Sequence, residues 1–269
     1  MSMGLMSDHH TYSYSQLSSV SECPYGFYLE RIEKVETLSN AFAEQGTLIH
    51  ELIDEWARGK LTKDQLPEEY DRRYADAVVT QFPRILAAKG YTQKAYQIGL
   101  EYFQNFDEFA GYKIIGTEEK FKIDLPLSDG TTRPFVGVID LILEDEMTGE
   151  LIICDHKSKS KTSFKKAENE MYRQQLMYAA YVKEKLGRFP DRLMFNLFKE
   201  NGEKMERPFT MQDYDQTMAW AEEMILKIEN FEFIDWLETK PQDFFCCNIC
   251  SVRKVCPNGI EAPYKPKAK

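Results

Sequence analysis

Two apolar stretches of the sequence each end in side chains that can handle a metal ion and a water molecule. Phe135–Asp140 ends in a carboxylate, and Leu151–Lys157 ends in Asp155, His156 and Lys157. A polar connection closed by a glycine joins them, which predicts a pair of adjacent strands in a hairpin. Because side chains alternate between the two faces of a strand, we expect Asp155 and Lys157 to share one face and His156 to point to the other.

Asp140 reaches the same place from the neighbouring strand. Two carboxylates and an amine at strand ends make a plausible Mg²⁺ or Mn²⁺ site with a base beside it that can handle water. The alternative interpretation is a solvated acid and lysine pair, because Asp-X-Lys often occurs by chance. This stretch alone leaves both interpretations open.

The composition fits a folded protein with a sizeable core, either one large domain or two small ones. The chain has 269 residues, of which 43% are hydrophobic, and a formal net charge of −10. This acidic balance argues against a broad surface for nucleic acid but leaves room for a local basic track. A lysine-rich track follows the second strand directly: Lys157, Lys159, Lys161, Lys165 and Lys166.

The sequence gives no sign of a membrane segment. No apolar run reaches the length of about 18 residues that a transmembrane helix needs, and residues 1–11 are polar and lack the apolar centre of a signal peptide. We therefore expect a cytoplasmic protein. In that reducing compartment, clustered cysteines indicate a metal site rather than disulfides.

Such a cluster lies near the C-terminus. Cys247, Cys250 and Cys256 have the spacing Cys-x2-Cys-x5-Cys. A fourth ligand is needed: Cys246 is adjacent but would crowd Cys247, and Cys23 is distant in sequence but is followed by proline, as Cys256 is. Four cysteines suit zinc or an iron–sulfur cluster, and the spacing does not choose between them.

Hydrophobic periodicity predicts helices on both sides of the strand pair. A first helix opens near residue 12 with Ser13 or Ser15 as its N-cap, and Cys23-Pro24 interrupts it because proline does not continue a helix. The other predicted helices cover residues 41–59, 67–89, 92–110, 167–187 and 211–237, and further strands cover residues 113–125 and 193–198.

Four side chains in these elements bear on the chemistry. His50 lies off the centre of a buried helical stripe, so periodicity alone favours a structural or exposed histidine. Gln174 and Tyr178 are four residues apart and share a helix face. Cys154 lies within an apolar strand and is most simply a core residue.

Five motifs, taken in this order, resemble the PD-(D/E)XK nuclease superfamily, most closely its RecB-type branch. They are Tyr14–Leu17 with Cys23–Tyr25, Gly46–Glu51, Gly137–Asp140, Asp155–Lys157 and Gln174–Tyr178. Each motif is weak alone, but together they are specific and span nearly the whole chain. The resemblance implies an α/β fold with a central mixed β-sheet flanked by helices, a restriction-endonuclease-like core, an N-terminal helical region and a C-terminal cysteine cluster.

The resemblance also assigns roles to the charged residues. Asp140 and Asp155 would bind a divalent ion, Mg²⁺ or Mn²⁺, together with the main-chain carbonyl of His156. His50 would be a further ligand, which reverses the interpretation from periodicity. Lys157 would orient or deprotonate the attacking water and stabilise charge on the phosphate.

For two further site positions, the resemblance leaves a choice between adjacent residues. Gln174 and Tyr178 match a Gln-x3-Tyr motif that positions the active site or the DNA strand, and Gln175 is a rival for Gln174. Glu118 or Glu119 is a further candidate for supporting the ion. The proline of the superfamily's name is absent, since an isoleucine precedes the first aspartate; the RecB-type branch commonly shows this departure.

The cysteine layout resembles that of AddB-type nuclease domains and CRISPR-associated RecB-like exonucleases. Mapped onto this sequence, Cys23, Cys247, Cys250 and Cys256 would hold a [4Fe–4S] cluster that joins the first helix to the C-terminus. The resemblance, not the spacing, favours iron–sulfur, and structural zinc is the alternative.

These expectations give a domain plan. Residues 1–11 form a flexible leader, 12–110 a helical region that contributes a cysteine and a histidine, 111–210 the nuclease core, and 211–269 a helix, the cysteine cluster and a basic tail. We expect them to form one compact unit.

The function implied is a metal-dependent DNA exonuclease that acts on single strands or DNA ends in recombination, repair or phage DNA processing. The rival is a catalytically silent DNA-binding or assembly module of a larger complex. No helicase motif is present, so a helicase or recombination partner subunit is the expected companion. The sequence leaves open the polarity, exonuclease or endonuclease action, DNA or RNA preference, pathway and oligomeric state.

Overall fold

The stretches that end in Asp140 and Lys157 are neighbouring antiparallel strands of a six-stranded mixed sheet. The computed structural model describes residues 10–230 and 244–260. Its strands are β1 Tyr12–Ser13, β2 Tyr112–Pro126, β3 Thr132–Asp145, β4 Leu151–Lys157, β5 Arg192–Leu197 and β6 Glu203–Pro208. Their order is β1-β3-β4-β5-β6, and β2 pairs with β3.

Helices flank this sheet, so the predicted α/β class with a central mixed sheet is confirmed. The helices are α1 Tyr14–Glu22, α2 Pro24–Phe27, α3 Ala41–Ala57, α4 Leu66–Ala77, α5 Arg84–Ala87, α6 Tyr91–Gln104, α7 Lys161–Lys166, α8 Glu168–Leu186, α9 Met211–Glu229, α10 Phe244–Asn248 and α11 Pro257–Ile260.

Strand β4 is buried almost along its whole length, and this explains its continuous apolar run. It pairs with β3 in the antiparallel sense and with β5 in the parallel sense, with Asp155 opposite Phe195. A strand paired on both sides and covered on both faces needs apolar residues at successive positions. Cys154 is fully buried, so its predicted place in the core is confirmed.

The first predicted helix is interrupted where the sequence indicates. Ser13 is the N-cap of α1, and its N–H donates to the side-chain oxygen of Gln16 at 3.2 Å. Cys23 is extended, with φ of −152°, and Pro24 begins α2 at a position where the missing N–H costs nothing. Residues 12 and 13 form strand β1, beside β3, rather than the start of the helix.

The prediction of one helix over residues 67–89 is wrong. Helix α4 ends at Ala77, Val78 leaves the helical region with φ of −108° and ψ of 76°, and Pro83 is extended. Proline disfavours helical geometry in the residue before it, so the chain cannot pass through this point as a helix.

Other boundaries also differ from the sequence prediction. Helix α6 ends at Gln104 rather than at residue 110, because Phe106 and Phe109 turn into the core. Strand β6, of sequence Glu-Lys-Met-Glu-Arg-Pro, was not predicted, because a charged edge strand carries no apolar alternation. The predicted leader up to residue 9, the end of the helix predicted over 211–237 and the basic tail lie outside the described residues.

The chain divides into two compact units. One comprises Met1–Asn40, Ile123–Val136 and Ala219–Lys269, and the other comprises Ala41–Lys122 and Gly137–Met218. We call them the cysteine unit and the carboxylate unit. The domain boundaries drawn from the sequence stay predictions.

The core of the carboxylate unit is organised around α3. Its predicted apolar stripe is buried, and it packs with aromatic residues of α4 and α6 and with apolar residues of β3, β4 and β5. The predicted stripe comprises Leu48, Ile49, Leu52, Ile53 and Trp56; the first four are buried, and Trp56 is partly buried and packs against them. The opposite side of the same helix is thereby left for polar residues.

Within the described ranges, no helix is both long enough and apolar enough to cross a membrane.

Two helical glycines test the packing of the carboxylate unit. A Cβ added at Gly99 in α6 would lie 2.1 Å from the hydroxyl oxygen of Tyr70, which is buried and accepts a hydrogen bond from Gln45 at 3.0 Å. We expect Gly99→Ala to lower the free energy of unfolding by about 1–3 kcal/mol, because the ring must shift within a packed core. Urea denaturation measures the change.

Gly46 in α3 is the matched control, because an added Cβ meets no atom within 4 Å. Alanine is the better helix former, so Gly46→Ala should raise the free energy of unfolding by up to about 1 kcal/mol. Equal effects of the two substitutions would contradict this description of the core.

Candidate active site

Three side chains that can bind a metal ion converge within the carboxylate unit. His50 comes from α3, Glu118 from β2 and Asp140 from β3, and one ligand atom of each lies within 4.8 Å of the other two. An imidazole nitrogen and carboxylate oxygens suit Mg²⁺ or Mn²⁺. The donor set therefore fits a divalent ion.

His50 faces both the backbone of β4 and the carboxylate of β3. Its Nε2 lies 3.0 Å from the main-chain oxygen of His156, and its Nδ1 lies 3.4 Å from Oδ2 of Asp140. Burial lowers the pKa of His50, so the ring is neutral near pH 7 and keeps a lone pair for a ligand.

Asp140 is the most perturbed carboxyl group of the site. Its Oδ2 accepts a hydrogen bond of 2.8 Å from the backbone N–H of His156. Burial, together with the nearby charge of Asp155, raises the pKa of Asp140 to about 8. A positive ion beside this group would favour its charged form.

Asp155 and Lys157 lie on the same face of β4, as their alternation predicts. Nζ of Lys157 lies 2.7 Å from Oδ2 of Asp155. Burial lowers the pKa of Lys157, but the charges of Asp155 and Asp140 outweigh burial, so the pKa lies above its usual value. Lys157 is therefore an ammonium ion at neutral pH, suited to donate hydrogen bonds and stabilise negative charge.

The side chain of His156 points away from this face, as predicted. It is only 3% exposed, and its Nδ1 lies 3.0 Å from Nδ2 of Asn196, whose amide also donates to the hydroxyl of Tyr102 at 2.7 Å. Because an amide nitrogen donates, Nδ1 of His156 accepts. The backbone of His156 is directed to the site, and its ring meets that of His50 edge-on with centroids 5.3 Å apart.

Helix α8 supplies the last predicted positions and separates the two candidate glutamines. Gln174 accepts a hydrogen bond from Nζ of Lys157 at 3.3 Å and donates one to the hydroxyl of Tyr178 at 3.1 Å. Gln175 is buried and donates to the backbone oxygen of Met194 at 2.6 Å. Gln174, not its rival, therefore joins the group around Lys157.

Glu118 and Glu119 are separated in the same way. Glu119 accepts a hydrogen bond of 2.7 Å from Tyr181 and pairs with Lys185 at 2.5 Å. Glu118 lies with His50 and Asp140, and burial together with the charge of Asp140 raises its pKa. Of the two candidates, Glu118 is the one placed to support an ion.

Gly137 lets two aromatic rings approach the start of this site. A Cβ at Gly137 would lie 2.5 Å from the ring of Phe121 and 2.8 Å from the ring of Tyr178. The two rings leave no room for a side chain at this position, which explains the glycine of the Gly-Val-Ile-Asp motif.

A cleft of about 710 Å³ opens over these residues within the carboxylate unit. One face of α3 forms much of its wall, and the middle of β2, the end of β4 and Phe198, which follows β5, supply the rest. Its charged lining comprises His50, Glu51, Asp54, Arg58, Glu118, Lys120 and Lys157. Asp54 and Arg58 were not predicted from the sequence, although the steps of four residues from His50 to Asp54 and from Asp54 to Arg58 place all three on one side.

Five of the six cysteines belong to the cysteine unit, and Cys154 of β4 is the exception. Cys250 and Cys246 pack with the buried Cys256 and Val252. Burial, together with the nearby thiols of Cys23 and Cys256, raises the pKa of Cys250. Burial, together with the nearby thiol of Cys256, raises the pKa of Cys246 to about 12. The structure thus brings Cys23 to the C-terminal thiols, and none of the cysteines forms a disulfide.

A sequence model of the PD-(D/E)XK nuclease superfamily matches residues 11–257. The chain belongs to this superfamily. The predicted superfamily is thereby confirmed, and the RecB-type branch stays a prediction. The assignment of Asp140 and of Asp155-His156-Lys157 to the motif of the superfamily's name stays a prediction.

One solved structure similar to this chain is titled "Crystal structure of SSO0001". It shares 12% sequence identity with a TM-score of 0.34, over 91% of this chain and 96% of that chain. A search of curated proteins found no match.

The raised pKa of Asp140 predicts a pH-dependent cost in stability. Between about pH 4, where an unfolded aspartate titrates, and about pH 8, the folded protein holds a proton that the unfolded chain has lost. Unfolding then releases a proton, so the free energy of unfolding falls as pH rises. Asp140→Asn keeps the acceptor for His156 and removes this titration.

In EDTA, we expect the Asp140→Asn protein to match the wild type near pH 4 and to exceed it by a few kcal/mol at pH 8, on the scale of about 1.4 kcal/mol per pKa unit. Denaturant melts across this range measure the difference. Asp76→Asn, at an exposed position of α4, is the control and should follow the wild type. A constant offset at all pH values would contradict the assignment.

Proposed function

We propose that this protein is a divalent-metal-dependent DNA exonuclease that hydrolyses phosphodiester bonds on single strands or DNA ends. One observation carries the proposal: the ion-binding side chains His50, Glu118 and Asp140 share a unit with the Asp155–Lys157 pair, and His50, Glu118 and Lys157 line one cleft. A carboxylate cluster with a fixed ammonium group beside it suits a reaction in which negative charge develops on a phosphate. Recombination, repair or phage DNA processing is the proposed context, with a helicase or recombination subunit as partner.

The ion would be Mg²⁺ or Mn²⁺, held by His50, Glu118, Asp140, Asp155 and the carbonyl of His156. When bound, it supplies Lewis acidity and lowers the pKa of its water. The support lies in the donor set and in the raised pKa values of Asp140 and Glu118, since two crowded carboxyl groups favour a cation.

Lys157 would act on the phosphate rather than as a resting base. Its raised pKa keeps it charged, and an ammonium group stabilises a phosphate oxygen as its charge grows. Nζ of Lys157 forms an ion pair with Asp155 and donates a hydrogen bond to the side-chain oxygen of Gln174, which together fix its position. Gln174 in turn donates to the hydroxyl of Tyr178.

A second candidate is a catalytically silent DNA-binding or assembly module. The formal net charge of −10 favours the assembly role within this candidate, because DNA binding over a broad face usually needs a basic surface. A cleavage assay separates the two functions.

The assay uses full-length, anaerobically purified protein with end-labelled single-stranded and duplex DNA, in Mn²⁺, Mg²⁺ or EDTA. We expect cleavage with either ion and none in EDTA. Asp155→Ala and Lys157→Ala should each lower the rate by about 100-fold or more, because each removes a group that acts on the reacting phosphate or its ion. The product ladder reports polarity and exonuclease or endonuclease action.

Lys185→Ala is the matched control, since Lys185 also pairs with a carboxylate, that of Glu119, at 2.5 Å. Its rate should equal that of the wild type. Metal-dependent binding of DNA without cleavage by folded wild-type protein would instead establish the silent module.

We also propose that Cys23, Cys247, Cys250 and Cys256 hold a [4Fe–4S] cluster. The neighbouring positions of Cys23, Cys250 and Cys256 support it. A structural zinc ion held by the same four thiolates is the alternative.

Anaerobically purified protein should therefore be brown and contain iron rather than zinc. Cys23→Ala, Cys250→Ala and Cys256→Ala should lose the colour and the iron, because each removes a ligand. Visible absorption and elemental analysis measure both.

Comparison of Cys247→Ala with Cys246→Ala tests the choice between adjacent cysteines, and we expect only the first to lose iron. Cys154→Ala, in the buried part of β4, is the control and should keep it. A colourless protein with one equivalent of zinc would establish the structural-zinc alternative.

A further inference from the structure

Strand β2 has an unusual backbone at the residue that faces the ion site. Glu118 has φ of +43°, in the left-handed region that residues with a side chain seldom adopt. Its neighbour Glu119 points to Tyr181 and Lys185. Such a conformation persists only when surrounding contacts hold it, and at a functional site it places a side chain where a regular strand would not.

The holding contacts are made at Thr117, the residue before Glu118. Nη2 of Arg58 donates to the backbone oxygen of Thr117 at 3.0 Å, and the hydroxyl of Thr117 donates to Oδ1 of Asp54 at 2.8 Å. Nε of Arg58 lies 2.8 Å from both oxygens of Asp54. Asp54, Arg58 and Thr117 thus form a closed network, in which both the main chain and the side chain of Thr117 are hydrogen-bonded.

Asp54 lies in α3, which also carries His50, and Arg58 directly follows the last helical residue, Ala57. The N–H of Arg58 still donates to the backbone oxygen of Asp54 at 2.9 Å. Residues four apart on a helix lie on one face, so His50, Asp54 and Arg58 follow one another along the wall of the cleft. The helix thus carries His50 directly, and Asp54 and Arg58 bind the strand that carries Glu118 through hydrogen bonds. The distance between His50 and Glu118 depends on these hydrogen bonds.

We propose that Asp54 and Arg58 are positioning residues that hold Glu118 in its left-handed conformation, so that it completes the ligand set of the metal ion. The inference rests on the metal site of the proposed function. It differs from a direct role of Arg58 in binding phosphate, which its place in the lining of the cleft also allows.

The test measures the affinity of the full-length protein for Mn²⁺ by calorimetry, without DNA. Arg58→Ala and Thr117→Val should each raise the Kd by about tenfold, the lower end of what residues behind metal ligands usually contribute. Thr117→Val keeps the shape of the side chain and removes only the hydrogen bond to Asp54. Urea melts of each variant confirm that the fold is retained.

A double-mutant cycle identifies the route of the effect. In a Glu118→Gln background, adding Arg58→Ala should leave the Kd within about twofold, because the residue that the network positions is already lost. Arg72→Ala is the matched control, since Arg72 pairs with Glu69 on the exposed side of α4 at 2.5 Å. It should leave the Kd unchanged.

Two results would overturn the proposal while the metal site stands. One is an unchanged Kd in both Arg58→Ala and Thr117→Val, and the other is an equal loss on adding Arg58→Ala with or without Glu118. Wild-type protein that binds no Mn²⁺ would refute the metal site itself and the positioning role with it.

Discussion

The site depends on crowding negative charge where little water can screen it. Asp140 and Asp155 have side chains only 11% and 7% exposed, and Glu118 lies against Asp140. The fold offsets this repulsion only in part, with the backbone N–H of His156 and the ammonium group of Lys157. Such an arrangement is costly for an isolated protein and becomes favourable around a cation. Helix α3 and strands β2, β3 and β4 are placed to maintain it.

Much of the fold followed from patterns that are local in sequence. The buried run of β4 and the stripe of α3 follow directly from the spacing of apolar residues, which are buried on folding. The strand pair and the helix were therefore predicted correctly. Strand β6 was not predicted, because a charged edge strand lacks the pattern of buried apolar residues. The helix predicted over 67–89 is split because Pro83 disfavours helical geometry at Phe82. This signal is local in sequence, but the prediction gave more weight to the apolar residues around it.

The site was predicted less evenly, and adjacent residues of one type show why. Gln174 and Gln175 are one position apart in a helix, so a small error in phase exchanges the residue facing Lys157 with one bonded to the core. Glu118 and Glu119 could not be separated from the sequence, because a regular strand gives no reason for the left-handed turn at the first. Contacts between distant segments settle both choices.

Residue 156 belongs to two environments at once. Its main-chain oxygen and N–H face His50 and Asp140, while its imidazole is enclosed with Asn196 and beside the ring of Phe109. A point mutation can delete any side-chain donor of the cleft, but no substitution removes a peptide carbonyl. Variation at this middle position of the Asp-His-Lys triplet is therefore constrained by the space and hydrogen bonds of the interior, and the chemistry of the cleft retains that oxygen whichever amino acid is encoded there.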